Sequence, residues 1–390
     1  MKFRYLAALV VVSLAILLAC SSVNTNSVSN GTALLFFTTQ GDSSLWSYNV
    51  VLASGSLTQI TQPVGTGSFP AGIAIAPSLN ALFVVNQASN TVSAYSVSTN
   101  GILTAASTTV KTGTMPSAIA IDLAGQFLYV ANQGSNDISV FSVNGTTLTP
   151  VKGSPFTTIP KGTTAATGPS AVVVSATGNF VYVANNFTQT LAAFSTKSGV
   201  LTPLGTSPYT VGVAPSGLGI VPSGAFLYVA NNGSNNVSAF AICDKVVTTC
   251  AEPNHPDGTL TPVTGSPFSL GIGTGPVAVA ADPGFNFLYV LDKGSNQISQ
   301  FSYATGTGVL SSLSPAAAST GVTPTSMVVI SGQTGTNVGN TITNPIDYIY
   351  VTNLGGSTIS AFTLDTTSGQ LNPIGTPTVT TNNPSAIAAD

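Results

Sequence analysis

Phe127-Leu-Tyr-Val-Ala-Asn132, a loop through Gly134, Ser135 and Asn136, then Ile138-Ser-Val-Phe141 is the passage on which the fold turns. Two β-branched and aromatic runs joined by turn residues read as two strands with a tight connection. The passage recurs at Ala81–Tyr95, Phe180–Phe194, Phe226–Phe240, Phe287–Phe301 and Tyr348–Phe362, with a degenerate copy at Leu34–Tyr48. In every copy an aromatic residue falls nine positions after the end of the first run, as from Asn132 to Phe141 and from Asn353 to Phe362. Chance does not hold one internal spacing through seven copies.

Outward from this pair, Pro116-Ser-Ala-Ile-Ala-Ile-Asp122 leads in, with relatives at Pro70–Ala76, Pro169–Ser175, Pro215–Val221, Pro276–Asp282 and Pro324–Ile330. Leu148-Thr-Pro-Val151 follows, echoed at Leu201–Leu204, Leu260–Val263 and Leu371–Ile374 and often trailed by Gly-Ser-Pro-Phe. Each unit therefore holds four short β-rich runs. Units repeat every 46 to 61 residues, the excess lying in insertions near Thr157–Thr167, Cys243–Asp257 and Gln333–Pro345. Four strands at this period point to the blades of a β-propeller. Pro opening a strand is tolerated, because the ladder loses nothing there. Phe-Leu-Tyr-Val is apolar on both alternating faces, as a sheet covered on both sides requires. No stretch after the N-terminal segment has a 3.6-residue apolar period, so helices are expected to be few.

The ends sharpen this reading. The copy at Leu34 has no Pro-Ser-Ala run before it, and the chain finishes on Pro384-Ser-Ala-Ile-Ala-Ala-Asp390, that run without its blade. The expectation is an all-β, seven-bladed propeller with four antiparallel strands per blade over residues 33–390. Its first blade is closed by the C-terminal strand, which leaves no exposed edge. Tandem immunoglobulin-like domains would not explain the split unit.

Residues 1–20 are set apart. Lys2 and Arg4 precede an apolar run from Leu6 to Leu18, closed by Leu17-Leu-Ala-Cys20, the layout of a secretory signal. The run is short for a membrane span, which needs about 20 apolar residues. Cys20 after Leu-Leu-Ala resembles a bacterial lipobox, and that resemblance implies acylation of Cys20 as the mature N-terminus; an ordinary signal peptide cleaved nearby, or an uncleaved anchor, is the alternative. Ser21 rather than Asp after it favours outer-membrane or cell-surface placement. Residues 21–32 are uncharged Ser, Asn, Thr and Val with little to bury, and read as a flexible tether.

Charged residues make up 5% of the chain against roughly 25% in an ordinary domain. After Arg4 there is no arginine, and six lysines stand against eleven acids, a net charge of about −5. Without a basic patch to neutralise phosphates, nucleic acid is not an expected partner. With Cys20 assigned to lipid, Cys243 and Cys250 remain as a pair in an oxidising compartment. A local disulfide is expected, with two buried free thiols as the alternative.

The repeated Tyr-Val-Ala-Asn and Tyr-Val-Thr-Asn blocks (Tyr129–Asn132, Tyr182–Asn185, Tyr228–Asn231, Tyr350–Asn353) resemble the YVTN-type propellers. With Pro116–Phe127, they place the chain beside the lactonase-like seven-bladed group that includes 6-phosphogluconolactonase. The resemblance implies the fold and, for the enzymes of that group, a central cleft handling an anionic lactone with His, Arg and acidic side chains. Lactone hydrolysis needs a base to activate water and a donor or cation where the oxyanion develops. Here the sole His, His255, lies with Glu252 in the insertion flanked by Cys243 and Cys250, where both read as solvated loop residues. No catalytic, metal or cofactor-binding residues are assigned. Asp122, Asp282 and Asp390 end their strands at matching positions and read as turn residues accepting backbone N–H groups. A calcium-binding ring is the sharper alternative. Asn86, Asn132, Asn185, Asn231 and Asn353 read as residues that satisfy loop backbone. The expected function is therefore an extracytoplasmic, monomeric binding or scaffold module for carbohydrate, cell-wall material or a protein. It would touch the membrane only through its lipid anchor. The alternative is a lactonase with a divergent site, or a purely structural surface-layer role.

Overall fold

In the computed structural model the described residues are 32–78, 80–246, 257–332, 346–380 and 382–389. They form seven antiparallel sheets and, among the described residues, no helix. Blade 3 shows the plan. Its innermost strand, Pro116–Ile121, pairs with Phe127–Asn132, which pairs with Asp137–Asn144. The fourth position is in two pieces: Thr147–Pro150 lies on one half of Asp137–Asn144 and Phe156–Thr157 on the other. Six blades share this broken outer strand, and only Leu310–Ser319 of blade 6 runs through.

In blades 3, 4 and 5 the break falls at a Ser-Pro step, and the serine repairs it. Ser154, Ser207 and Ser266 Oγ accept the N–H of Val140 (2.8 Å), Ala193 (3.0 Å) and Ala239 (2.9 Å) on the third strand. A buried N–H left without a partner costs about 1–3 kcal/mol, so each hydroxyl stands in for a missing ladder bond.

Alternation along the second strand feeds two cores at once. Leu128 and Val130 pack toward blade 2 with Phe83 and Val85, while Tyr129 and Ala131 pack toward blade 4 with Val181 and Val183. The same arrangement gives seven apolar clusters, one in each seam between neighbouring blades. A fully buried leucine in such a seam contributes about 1.5–3 kcal/mol. The run is apolar on both faces because neither face meets water.

The ring closes as the terminal runs require. Pro384–Ala389 pairs antiparallel with the strand Thr32–Thr39, from Thr39 opposite Pro384 to Leu35 opposite Ala389. Blade 1 is thus built from both ends of the chain. Thr32, assigned from sequence to the tether, already pairs with Val51, so the sheet starts one residue earlier. The seven innermost strands touch one another in a closed circle around the axis.

Candidate functional site

The axial channel is where a propeller ordinarily concentrates its chemistry, and here the innermost strands line it. Their opening Pro-Ser step fixes the spacing. Ser117 Oγ donates to Pro169 O of the next blade (2.8 Å), Ser170 to Pro215 O (2.7 Å) and Ser216 to Pro276 O (2.7 Å). Ser385 repeats the bond to Pro70 O at 2.8 Å, and Thr325 reaches Pro384 O at 3.3 Å. Ala71 and Val277 occupy the two remaining positions and have no hydroxyl to offer. Toward the other end of the innermost strands lies a cavity of about 510 Å³. Its walls are Ala, Val, Ile, Leu, Gly, Pro and Met from blades 3 to 7, including Ala120, Val173, Leu218, Ala280 and Val328. No ionisable side chain lines it.

The residues singled out by the sequence fall into place around this channel as structural groups. Asp122 Oδ1 accepts the N–H of Gln126 (2.6 Å) and Phe127 (3.0 Å), and Asp282 Oδ1 those of Gly284 (2.8 Å) and Phe285 (2.7 Å). Ser175 does the same for Phe180 N in blade 4. Burial raises the Asp282 carboxyl above its usual range, with the backbone donors and the nearby Asp347 opposing. Among the described residues no three His, Cys, Asp or Glu side chains converge as a metal site. The strand-ending asparagines are fully buried. Asn86, Asn231 and Asn353 each take on Oδ1 a glycine N–H from the crossover that leads into their own blade, while Nδ2 donates to side chains of the third strand. Asp292 holds this place in blade 6, accepting from Ser299 Oγ at 2.6 Å. Burial pushes its carboxyl up to about 7. Cys243 is disulfide-bonded and buried. Cys20, Cys250, Glu252, His255 and Asp390 lie outside the described residues.

Three features were not drawn from the sequence. First, the loop asparagines Asn90, Asn136, Asn235 and Asn296 take left-handed backbone conformations, with φ between 51° and 58°. Their side chains accept the N–H of the residue before the next blade's opening proline: Met115, Gly168, Gly275 and Thr323. Asn tolerates this conformation better than most residues, so the Gly-Ser-Asn composition of the loop was the available signal.

Second, the tyrosines of the second strand stitch blade to blade. Tyr182, Tyr228, Tyr289 and Tyr350 donate their hydroxyls to the carbonyls of Gly258, Gly308, Gly369 and Gly55 in the following blade. Burial raises all four hydroxyls, which keeps them neutral donors.

Third, one end of the propeller, where crossovers meet the turns between second and third strands, is apolar. Phe69, Met115, Phe187, Val213 and Val322 stand there between 45% and 58% exposed, one from each of five blades. Phe69 and Met115 precede opening prolines and have positive φ, 58° and 51°, which costs energy for such side chains.

A family profile described as "Lactonase, 7-bladed beta-propeller" matches residues 27–115, 94–155 and 148–249, more than half of the chain. The chain belongs to this family. Among solved structures it is similar to a candidate 6-phosphogluconolactonase of Bacteroides uniformis, with 16% identity and a TM-score of 0.74 over 92% of this chain and 100% of that one. It is also similar to the periplasmic gluconolactonase of Pseudomonas aeruginosa, with 20% identity and a TM-score of 0.71 over 92% and 98%. A protein of Lactobacillus plantarum gives 18% identity and a TM-score of 0.70 over 92% and 99%. At these identities the likeness is one of fold. None of the curated proteins matches the sequence.

Proposed function

We propose that this lactonase-family propeller is a binding module rather than a hydrolase, held at the outer membrane or cell surface by a lipid on Cys20. The observation that carries the reading is the chemistry of the channel. Its cavity offers apolar walls where hydrolysis of a lactone would need a base and an oxyanion donor. The apolar end bearing Phe69, Met115 and Phe187 supports binding. Exposed apolar side chains beside uncharged Ser, Thr and Asn loops suit an uncharged carbohydrate of the envelope, whose ring faces stack on apolar groups while its hydroxyls pair with amides. The lysines and acids are too few to favour a charged polymer.

The test is co-sedimentation of the purified chain with insoluble cell-wall polysaccharide, alongside an assay for hydrolysis of gluconolactone and 6-phosphogluconolactone. Binding should be saturable and should weaken about tenfold when Phe69, Met115 and Phe187 are all replaced by serine, with no lactone turned over. A chain that hydrolyses either lactone catalytically is a lactonase, the reading that the family and the Pseudomonas aeruginosa relative favour. Capture of a protein in place of polysaccharide would move the partner to another class.

A further inference from the structure

One of the seven seams departs from the pattern of the others. Two positions after the aromatic residue of the third strand, six blades carry a largely apolar side chain: Val50, Val97, Val143, Ile242, Tyr303 and Leu364. Blade 4 has Thr196. Its hydroxyl pairs with Tyr129 Oη of blade 3 at 3.2 Å, whereas the four tyrosines at the position of Tyr129 in other blades spend their hydroxyls on a glycine carbonyl. The seam between blades 3 and 4 therefore has a polar floor, and above it opens a groove of about 520 Å³.

Two opposite charges line that groove in a chain where charges are scarce. Asp122 is 6% exposed, and both of its hydrogen bonds use Oδ1, so among the described residues Oδ2 has no partner. Lys197, on the hairpin of blade 4, stands exposed at the rim. A largely buried carboxylate that lines a groove with one oxygen unengaged is matched best by a charged donor. Leu123 and Ala176 belong to both this groove and the channel cavity, so an apolar path runs from the charged pair into the apolar well.

We propose that the groove binds a small zwitterion of the amino-acid type. Its ammonium pairs with Asp122 Oδ2 and its carboxylate with Lys197. The hydroxyl of Thr196 or Tyr129 takes a further hydrogen bond, and an apolar side chain lies along Leu123 and Ala176. This site is at the opposite end of the blades from the exposed apolar side chains and does not depend on the lipid anchor or the carbohydrate reading.

Isothermal titration of the intact chain in detergent with L-leucine tests it, using 3-methylbutylamine, 4-methylpentanoate and glucose as comparison probes. Leucine should bind saturably, and loss of either charge from the probe should weaken binding about tenfold. Asp122→Asn, which keeps the Oδ1 acceptor for the turn, and Lys197→Gln should each do the same. Thr196→Val, which removes the hydroxyl from the groove, should weaken binding, and Thr196→Ser, which keeps it, should not. The proposal is overturned by no saturable heat with leucine, by equal binding of the amine and the zwitterion, by undiminished affinity in Asp122→Asn, or by binding of glucose alone.

Discussion

The hydroxyl of Ser385 donates to the carbonyl of Pro70 at 2.8 Å, joining residues 315 positions apart and locking the C-terminal strand of blade 1 onto blade 2. It also meets Thr38 Oγ1 at 2.9 Å on the N-terminal strand of its own blade. One side chain thus ties three segments that the sequence holds far apart.

Ser385 is one of a series, and the series can be tested position by position. Ser117→Ala, Ser170→Ala and Ser216→Ala each remove one bond between neighbouring innermost strands and should cost about 1 kcal/mol in denaturant unfolding. Ser385→Ala should cost more, since it also strips Thr38 of a partner. Ala71→Ser, at a position where the ring lacks its hydroxyl, should be neutral or stabilising. A loss of stability there would show that the missing bond cannot form.

Blade 5 meets blade 6 more closely than a side chain allows. A Cβ on Gly217 would lie 2.6 Å from Val277 O and 2.8 Å from Ala278 Cα, both backbone atoms. Gly217→Ala should therefore destabilise by about 1–3 kcal/mol, the range for overpacking a rigid contact. Calorimetry of the variant measures it directly.

Asp292 gives stability a pH dependence of definite sign. Its carboxyl titrates near 7 when folded and near 3.8 when free, so between these values the folded chain binds the extra proton. Its stabilising contribution is complete below the lower value and is lost as pH rises through the upper one. The loss is of the order of several kcal/mol. Asp292→Asn puts the residue of five other blades into the slot. It should flatten the Tm profile between pH 4 and 8 and raise the Tm at the alkaline end. A wild-type Tm that climbs over this range would contradict the assignment.

Lipid attachment has its own readout. Radiolabelled palmitate should be incorporated by the expressed wild-type chain and not by Cys20→Ser, which should also leave the membrane fraction. Membrane retention of unlabelled Cys20→Ser would point to an uncleaved anchor.

How much of this could be read beforehand divides along a physical line. Strand positions and ring closure were legible because burial on both faces forces the same apolar run into every blade and because the Pro384–Asp390 run lacks its blade. The turn role of Asp122 was legible because its bonds are local, and the loop role of Asn231 because asparagine recurs at that strand end in five blades. The Ser117–Pro169 and Tyr228–Gly308 bonds were not: each joins segments that only the wedge geometry brings together. Asp292 stood visibly in the asparagine slot, but its shifted titration comes from burial, which composition does not disclose. Thr196 was readable in principle, by comparing the residue two positions after the third-strand aromatic across all seven blades. Its meaning required Tyr129 and Asp122 to be placed around it.

The most direct test of the closed ring is thermal unfolding of the chain truncated after Asn383, with and without a synthetic peptide of residues 384–390. Closure by the C-terminal strand predicts a Tm lower by about 10 °C or more, a broadened transition, and recovery when the peptide is added. An unchanged Tm in the truncated chain would mean that Leu35–Thr39 does not depend on Pro384–Ala389, and the ring described here would be wrong.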